Sequence, residues 1–426
     1  MTAHGTRSRS PFGPGLRALV GGLLLTGWLA GPAWAQQIAP RVMVPPSSVV
    51  RAQDAGLRAH TNVRVLQLPD AGAAPPALLG AQPRLPPKSG NFYETPASLA
   101  CIYGLVKRTY GCNPQRVTAN AGGGSRVIAI VDAYHDPTAL SDLNTFSRQF
   151  GLPTVTAASF QVIYASGTRP PVDSGWRIET ALDTQMAHAL APNAKIILVE
   201  AASSSFADLL LAVRVAANAV AAAGGGEVSV SWGSGEFANE VTSAYTAPFT
   251  RSGVVFFAST GDTPAPSYPA VLANVVAAGG TTVLRNASGA FLGEASWVDA
   301  GAGRSLYVSR PSFQVAVKAT VGSMRGIADL AAVANPSTGV WVYSAGVWMP
   351  VGGTSASSPI LAAIANSAGH FLASSAAELK RIYANLGTAA FRDIATGTCG
   401  ANRSRHAAAG FDFCTGVGSP VGLSGL

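Results

Sequence analysis

The sequence predicts an α/β fold in which a parallel β-sheet is covered by helices on both faces. Short apolar runs alternate with helical stretches along most of the chain, the pattern of strands joined by crossover helices. A length of 426 residues with 48% hydrophobic side chains is enough to bury one large core or two smaller ones. No repeat of fixed period is visible, which argues against a solenoid or propeller.

The elements follow in order. Arg126-Val-Ile-Ala-Ile-Val-Asp132 reads as a buried strand. The stretch "DPTALSDLNTFSRQFG" after it reads as a helix, with Pro137 near its start and Gly151 just past its end. A helix is expected around 177–190, then strand "KIILVE" at 195–200, helix at 206–223 and strand "EVSVSW" at 227–232. Apolar strands "VVFFAS" and "NVVAAGG" come next, and an apolar helix is expected from Ser357 to Ala373. In such a sheet ligands bind beyond the carboxyl ends of the strands.

Composition narrows the class. Charged residues are only 12% of the chain, against about 25% in average usage, and 21 Asp and Glu face 29 Lys and Arg, a net charge of +8. The arginines are scattered and form no run that would track phosphates, so nucleic acid is not an expected partner. Residues 1–35 read as a signal peptide: Arg7, Arg9 and Arg17, the apolar run Ala18 to Leu29, and Ala33-Trp34-Ala35 at the cleavage point. No later run is long enough for a membrane span, so a secreted or periplasmic protein is expected. Residues 36–91 are Pro-rich, lack any aromatic residue and read as a linker or short propeptide without a core of its own. The folded domain is expected over 92–426.

The four cysteines suit an oxidising compartment as two local pairs, Cys101 with Cys112 and Cys399 with Cys414. A zinc site is the rival, although close Cys-x-x-Cys pairs are missing.

The stretch "GGTSASSPILAAI" at 352–364 places Ser355 at the mouth of a helix, where the helix field favours a developing oxyanion. Gly-Thr-Ser-Ala-Ser-x-Pro resembles the nucleophile motif of the subtilisin-like superfamily. The His-Gly-Thr and Asp-Ser/Thr-Gly motifs of ordinary subtilisins are missing; Asp132 ends a strand, but Ala133 and Tyr134 follow it. Where a histidine helix would stand, the chain reads "SGWRIETALDTQMAHALAPNAK". Glu179 and Asp183, four apart, share one helix face, and two like charges there do nothing for helix stability. Glu-x-x-x-Asp, then Ala-Pro-x-Ala and the later serine motif, together resemble the sedolisins, the serine-carboxyl peptidases.

That resemblance implies a subtilisin-like single catalytic domain and gives each motif a role. Ser355 would be the nucleophile, Glu179 its base, Asp183 the residue that orients Glu179, and Asp262 of "FFASTGD" the oxyanion-hole residue. A carboxylate repels an oxyanion, so Asp262 serves only when protonated, which belongs in acid. A glutamate of pKa ~4.3 remains a competent base there, whereas a histidine of pKa ~6.5 is protonated. Ser231, Trp232 and Gly233 would line the substrate cleft. "RGIADLAAVANPSTG" at 325–339 is similar to the segment before the serine, with Ala328 in place of the usual proline. The C-terminal stretch resembles the family's calcium loop: carboxylates from Asp393 and Asp412, backbone carbonyls from Ile394, Ala408 and Gly410, one Ca2+ ion.

The expected function is therefore a secreted, acid-acting endopeptidase, a monomer acting on protein or peptide substrates. The alternatives are a tripeptidyl-peptidase and a catalytically silent binding protein on the same scaffold. The large folded prodomain common in the family has no counterpart beyond residues 36–91.

Overall fold

The computed structural model describes residues 40–68, 92–400 and 405–426. The chain opens with strands β1 (Arg41–Met43), β2 (His60–Thr61) and β3 (Arg64–Gln67), then helix α1 (Pro96–Ile102). The alternating section is β4 (Val127–Ala133), α2 (Ala139–Phe150), β5 (Phe160–Tyr164), α3 (Ser174–Leu190), β6 (Lys195–Ala201), α4 (Phe206–Ala222) and β7 (Gly226–Val230). Next come β8 (Trp232–Gly235), the short α5 (Ser243–Thr246), β9 (Val254–Ser259), β10 (Ser267–Tyr268), β11 (Val276–Arg285) and β12 (Phe291–Ser296). The last section holds β13 (Gly303–Ser309), the short α6 (Lys318–Val321), β14 (Met324–Ile327), β15 (Leu330–Val333), β16 (Val340–Ser344), β17 (Val347–Gly352), α7 (Thr354–Ala368) and α8 (Ser375–Ala384).

The main sheet has eight strands in the order β12-β11-β9-β7-β4-β6-β5, with β15 also beside β11. Every pairing is parallel except that of β12 with β11. Its two-sided burial follows from the period of the strand. In β4, Ile128 and Ile130 pack with Leu182 and Met186 of α3 and Ile360 of α7. Val127, Ala129 and Val131 point the other way, onto Leu209, Val213 and Ala216 of α4. Helices thus cover both faces, as expected. The chain leaves β4 for β5 and β6 on one side and then crosses from β6 past β4 to β7 on the other, so the order reverses beside β4, where a site at the carboxyl ends of the strands is expected.

Helix ends follow local chemistry. α2 closes on Gly151 in the left-handed region (φ 69°). α7 starts and stops earlier than its apolar run suggested, because Gly369 takes the same conformation (φ 72°). The expected strand 227–232 is broken at Ser231: β7 stays in the main sheet, while β8 turns away to join β10 and β2.

The domain start is corrected. The compact unit runs Ala39–Leu426, so residues 40–68 fold with the body instead of preceding it as an unpacked linker. β1, β3, β17 and β16 form one sheet, and Val63, Leu66 and Leu68 are buried. Residues 1–35, expected to be a signal peptide, lie outside the described residues, as do 69–91. Both expected disulfides are present, Cys101–Cys112 and Cys399–Cys414. No helix among the described residues is long and apolar enough to cross a membrane.

One sequence motif belongs to the core. Arg325 and Asp329, both wholly buried, form a two-pronged ion pair at 2.7 and 2.5 Å. Tyr383 Oη and the Ala277 N–H also donate to Asp329, so both oxygens of this buried carboxylate are bonded, while Arg325 Nε has no partner.

Candidate active site

Ser355 lies in the first turn of α7, which the preceding glycines position. Gly352 and Gly353 thread between other strands; a Cβ on Gly353 would lie 2.0 Å from Asn62 O and 2.7 Å from Asp262 Oδ2. The φ of 103° at Gly353 is itself open to glycine alone. Within α7, the Ser358 hydroxyl meets that of Ser229 at 2.8 Å and Ser357 Oγ accepts the Ala332 N–H at 3.1 Å. These bonds lock the helix onto β7 and β15. Ser355 Oγ donates to Ser231 O at 3.0 Å, so it must rotate to donate elsewhere.

Glu179 and Asp183 sit one turn apart on α3, whose first turn is capped by Asp173. Asp132, at the end of β4, joins them, and all three carboxyls are wholly buried. Burial, then the charge of Asp132, pushes the Glu179 pKa well above the usual glutamate range. Burial followed by the charges of Asp132 and Glu179 does the same to Asp183. Asp132 is pushed up to about 8, again mainly by burial. No hydrogen bond joins the three, and their shifts come from burial and mutual repulsion, so they cannot all ionise and they titrate as a unit. The Ser355 and Thr61 hydroxyls come near enough to lower the Glu179 pKa, yet neither completes a well-formed bond to its oxygens. Glu179 is best described as facing the two hydroxyls, since Ser355 Oγ is spent on Ser231.

Asp262 stands on the opposite wall, just beyond β9. Its Oδ1 accepts from the Thr354 N–H (2.8 Å) and Thr354 Oγ1 (3.0 Å), tying it to the start of α7. Oδ2 has no hydrogen-bond partner and only a loose ion pair, 3.5 Å, with Arg64. Burial pushes its pKa up to about 6 despite Arg64. Below that value the carboxyl is neutral, and its unpartnered oxygen can carry a proton toward the space above Gly353.

A strand of the chain itself fills the cleft. His60 and Thr61 pair antiparallel with Gly233 and Trp232. The Asn62 N–H donates to Ser231 O at 3.1 Å. On the other side the Ala59 N–H donates to Ser204 O and the Phe206 N–H to Leu57 O, at 2.9 and 3.0 Å. Past Asn62 the strand changes partner: Arg64 and Val65 pair with Gly352 and Val351 of β17. Ser231, Trp232 and Gly233, expected to line the cleft, are thus the edge along which this strand runs.

The chain is 30% identical to kumamolisin of Bacillus sp. (strain MN-32) over 333 residues, 71% of this chain and 59% of kumamolisin. It is 37% identical to sedolisin of Pseudomonas sp. (strain 101) over 110 residues, 24% of this chain and 19% of sedolisin. In sequence the chain is similar to the sedolisins. It spans about three fifths of the length of kumamolisin, the longer of these two matches. The fold agrees: the solved structure of Pseudomonas sedolisin, a serine-carboxyl proteinase complexed with two molecules of pseudo-iodotyrostatin, superposes with a TM-score of 0.65 at 24% identity, over 78% of this chain and 96% of that one. An S41 psychrophilic protease gives 0.51 at 18% identity, over 77% and 98% of the two chains. No family model matches the chain.

The carboxylates of the C-terminal loop bond to its own backbone. Asp393 Oδ2 accepts the Gly410 N–H at 2.8 Å. Asp412 accepts the N–H groups of Ala408, Cys414 and Thr415 at 2.7 to 3.0 Å. Both carboxylates therefore converge on the 408–410 turn, and Cys399–Cys414 ties its flank. Among the described residues no group of three or more His, Cys, Asp or Glu is placed for a metal. The two carboxylates are thus engaged by backbone N–H groups, and calcium on Asp393, Asp412 and the carbonyls of Ile394, Ala408 and Gly410 rests on the resemblance alone.

Two participants escaped the sequence. Asp132 was seen as a strand end but not as part of a carboxyl cluster, because the residues it meets are about fifty positions away. The cleft strand left one signal, the alternation of Val63 and Val65 in "TNVRVLQL", inside a segment whose prolines suggested a linker. His188, a possible rival base, bonds Pro153 O at 2.7 Å and faces away from this chemistry.

Proposed function

We infer that the chain is a secreted, acid-acting serine-carboxyl endopeptidase that hydrolyses peptide bonds of protein or peptide substrates. The observation that carries the reading is one cleft holding Ser355, Glu179 with Asp183 behind it, and Asp262 with a free oxygen on the opposite wall. The Ser355 hydroxyl rotates to Glu179, gives up its proton there and attacks the scissile carbonyl carbon. The resulting oxyanion takes hydrogen bonds from the Ser355 N–H and from protonated Asp262. Glu179 returns the proton to the leaving amine, then takes one from the water that opens the ester and hands it back to Ser355 as the serine leaves. Asp183, and Asp132 beyond it, hold Glu179 in place and adjust how readily it releases its proton.

The endo mode is supported by the length of the cleft. Backbone pairing runs from residue 57 to residue 62 on one side of Gly353 and onward along β17 on the other. An enzyme limited to releasing tripeptides would be closed after three residues. A bound Ca2+ held by Asp393, Asp412 and the carbonyls of Ile394, Ala408 and Gly410 would brace the C-terminal loop and supply no step of the reaction.

Purified wild type and the Ser355→Ala and Glu179→Gln variants, incubated with a denatured protein across about pH 3 to 8, test the assignment. The wild type should show a bell-shaped acid profile and internal cuts, and either variant should lose at least about a thousandfold in kcat. A Glu179→Gln enzyme of undiminished activity would sink the role given to Glu179. Full activity in Ser355→Ala would point to another nucleophile.

A further inference from the structure

The side chains of the cleft show which residue the site selects. Resting on the peptidase reading above, we propose that Ser259 makes the enzyme selective for bonds that follow asparagine and, in strong acid, aspartic acid in its neutral form.

One contact gives the register. The Ser355 N–H, the group that would hold the oxyanion, donates to Asn62 O at 3.1 Å. A Cβ placed on Gly353 would lie 2.0 Å from that oxygen and 2.7 Å from Asp262 Oδ2, so the two oxygens flank one small space. Residues 57 to 62 are hydrogen-bonded on both edges, to 204–206 and to 231–233, which aligns the strand along the cleft. A residue held in this way presents the carbonyl that a nucleophile would attack. Its side chain therefore marks the pocket for the residue before the scissile bond.

That pocket has a polar floor. Ser259 ends β9 and, by the two-residue period of the strand, faces the same side as Val255 and Phe257. The apolar pattern stops there, at a hydroxyl that is wholly buried. The Asn62 amide, also wholly buried, donates to Ser259 Oγ at 2.7 Å. Leucine has nearly the shape of asparagine but brings no donor, so it would leave the buried hydroxyl without this bond. Neutral aspartic acid keeps both the shape and a donor, its O–H. Ionised aspartate has no proton to donate, and it would carry a charge into an enclosed place near the carboxyls of Glu179 and Asp262. Arg64, the neighbouring cation, is engaged with Asp262, 3.5 Å from Oδ2 and donating to the backbone oxygen at 3.1 Å.

The test gives the full chain synthetic peptides with the sequence of residues 57–66, carrying Asn, Asp or Leu at the sixth place. Between about pH 3 and 6, kcat/KM is measured for the bond after that place. The Asn peptide should be cut at least about tenfold faster than the Leu peptide throughout. The Asp peptide should match the Asn peptide near pH ~3 and fall behind it about tenfold per pH unit above ~4, as its side chain ionises. In Ser259→Ala the Asn rate should drop to that of Leu, and Ser259→Val, with an apolar floor, should prefer Leu, a reversal that mere loss of stability does not produce. A wild type that cuts Leu as fast as Asn, an Asp-to-Asn ratio constant with pH, or an undiminished Asn preference in Ser259→Ala would overturn the proposal and leave the peptidase reading in place. Failure to cut any of these peptides or an added denatured protein would overturn both.

Discussion

At the scale of the residue, Asp262 decides the pH at which this site can work. Its carboxyl is pushed up to about 6 because burial outweighs the nearby Arg64. As pH rises through that value the donor becomes a second anion beside the oxyanion, so the alkaline limb of the rate profile should fall there. Asp262→Ala should cost about a hundredfold to a thousandfold in kcat at acid pH, the usual cost of one oxyanion donor. Asp262→Asn keeps a donor that does not titrate, and should hold its rate above pH 6 where wild type declines. Initial rates of the three enzymes between about pH 3 and 8 distinguish these outcomes. The residue types here were legible in the sequence, since Glu179, Asp183, Asp262 and Ser355 each sat in a recognisable string. Asp132 was not, because a lone strand-end aspartate says nothing about what it faces.

At the scale of the element, the C-terminal loop is held by one disulfide and by backbone bonds to two carboxylates. A cation bound there adds its affinity for the folded state to stability. Ca2+ should therefore raise the melting temperature of wild type, a chelator should reverse the rise, and Asp412→Ala should abolish the response in a thermal scan. An unchanged wild-type transition over a wide range of Ca2+ would remove calcium from the account. Elements with a strong period were the easiest to read: α2 ends at the glycine that marked its stop, and β4 divides its side chains between two cores as alternation requires. α7 was read too long because its apolar composition continues past Gly369, where only backbone conformation ends the helix.

At the scale of the whole molecule, few carboxyls are available and many are buried, which ties stability to acid. Burial raises Asp132, Glu227 and Glu240 to about 8, Glu378 to about 7 and Asp262 to about 6. Each binds its proton more tightly in the folded state than in the unfolded chain, where such groups titrate near ~4. Their contribution is complete below that value and is lost as pH rises through 6 to 8, because unfolding then releases buried groups to ionise in water. Melting temperatures should be highest in mild acid and fall steadily toward about pH 9. A transition that rose over the same range would contradict this.

The sequence by itself determined the α/β class, the two disulfide pairs and the strings that carry the serine and its acidic partners, because each depends on periodicity or on residues close together in the chain. Only the tertiary structure decided what those strings meet. Asp132 joins Glu179 and Asp183 because β4 and α3 pack side by side, and Asp262 reaches Thr354 because β9 ends beside the start of α7. Residues 40–68 looked like a linker in isolation, since a strand has no internal hydrogen bonds to announce it and is defined by the edges it finds. Here those edges are 204–206, β8 and β17, and they set Asn62 against Ser355.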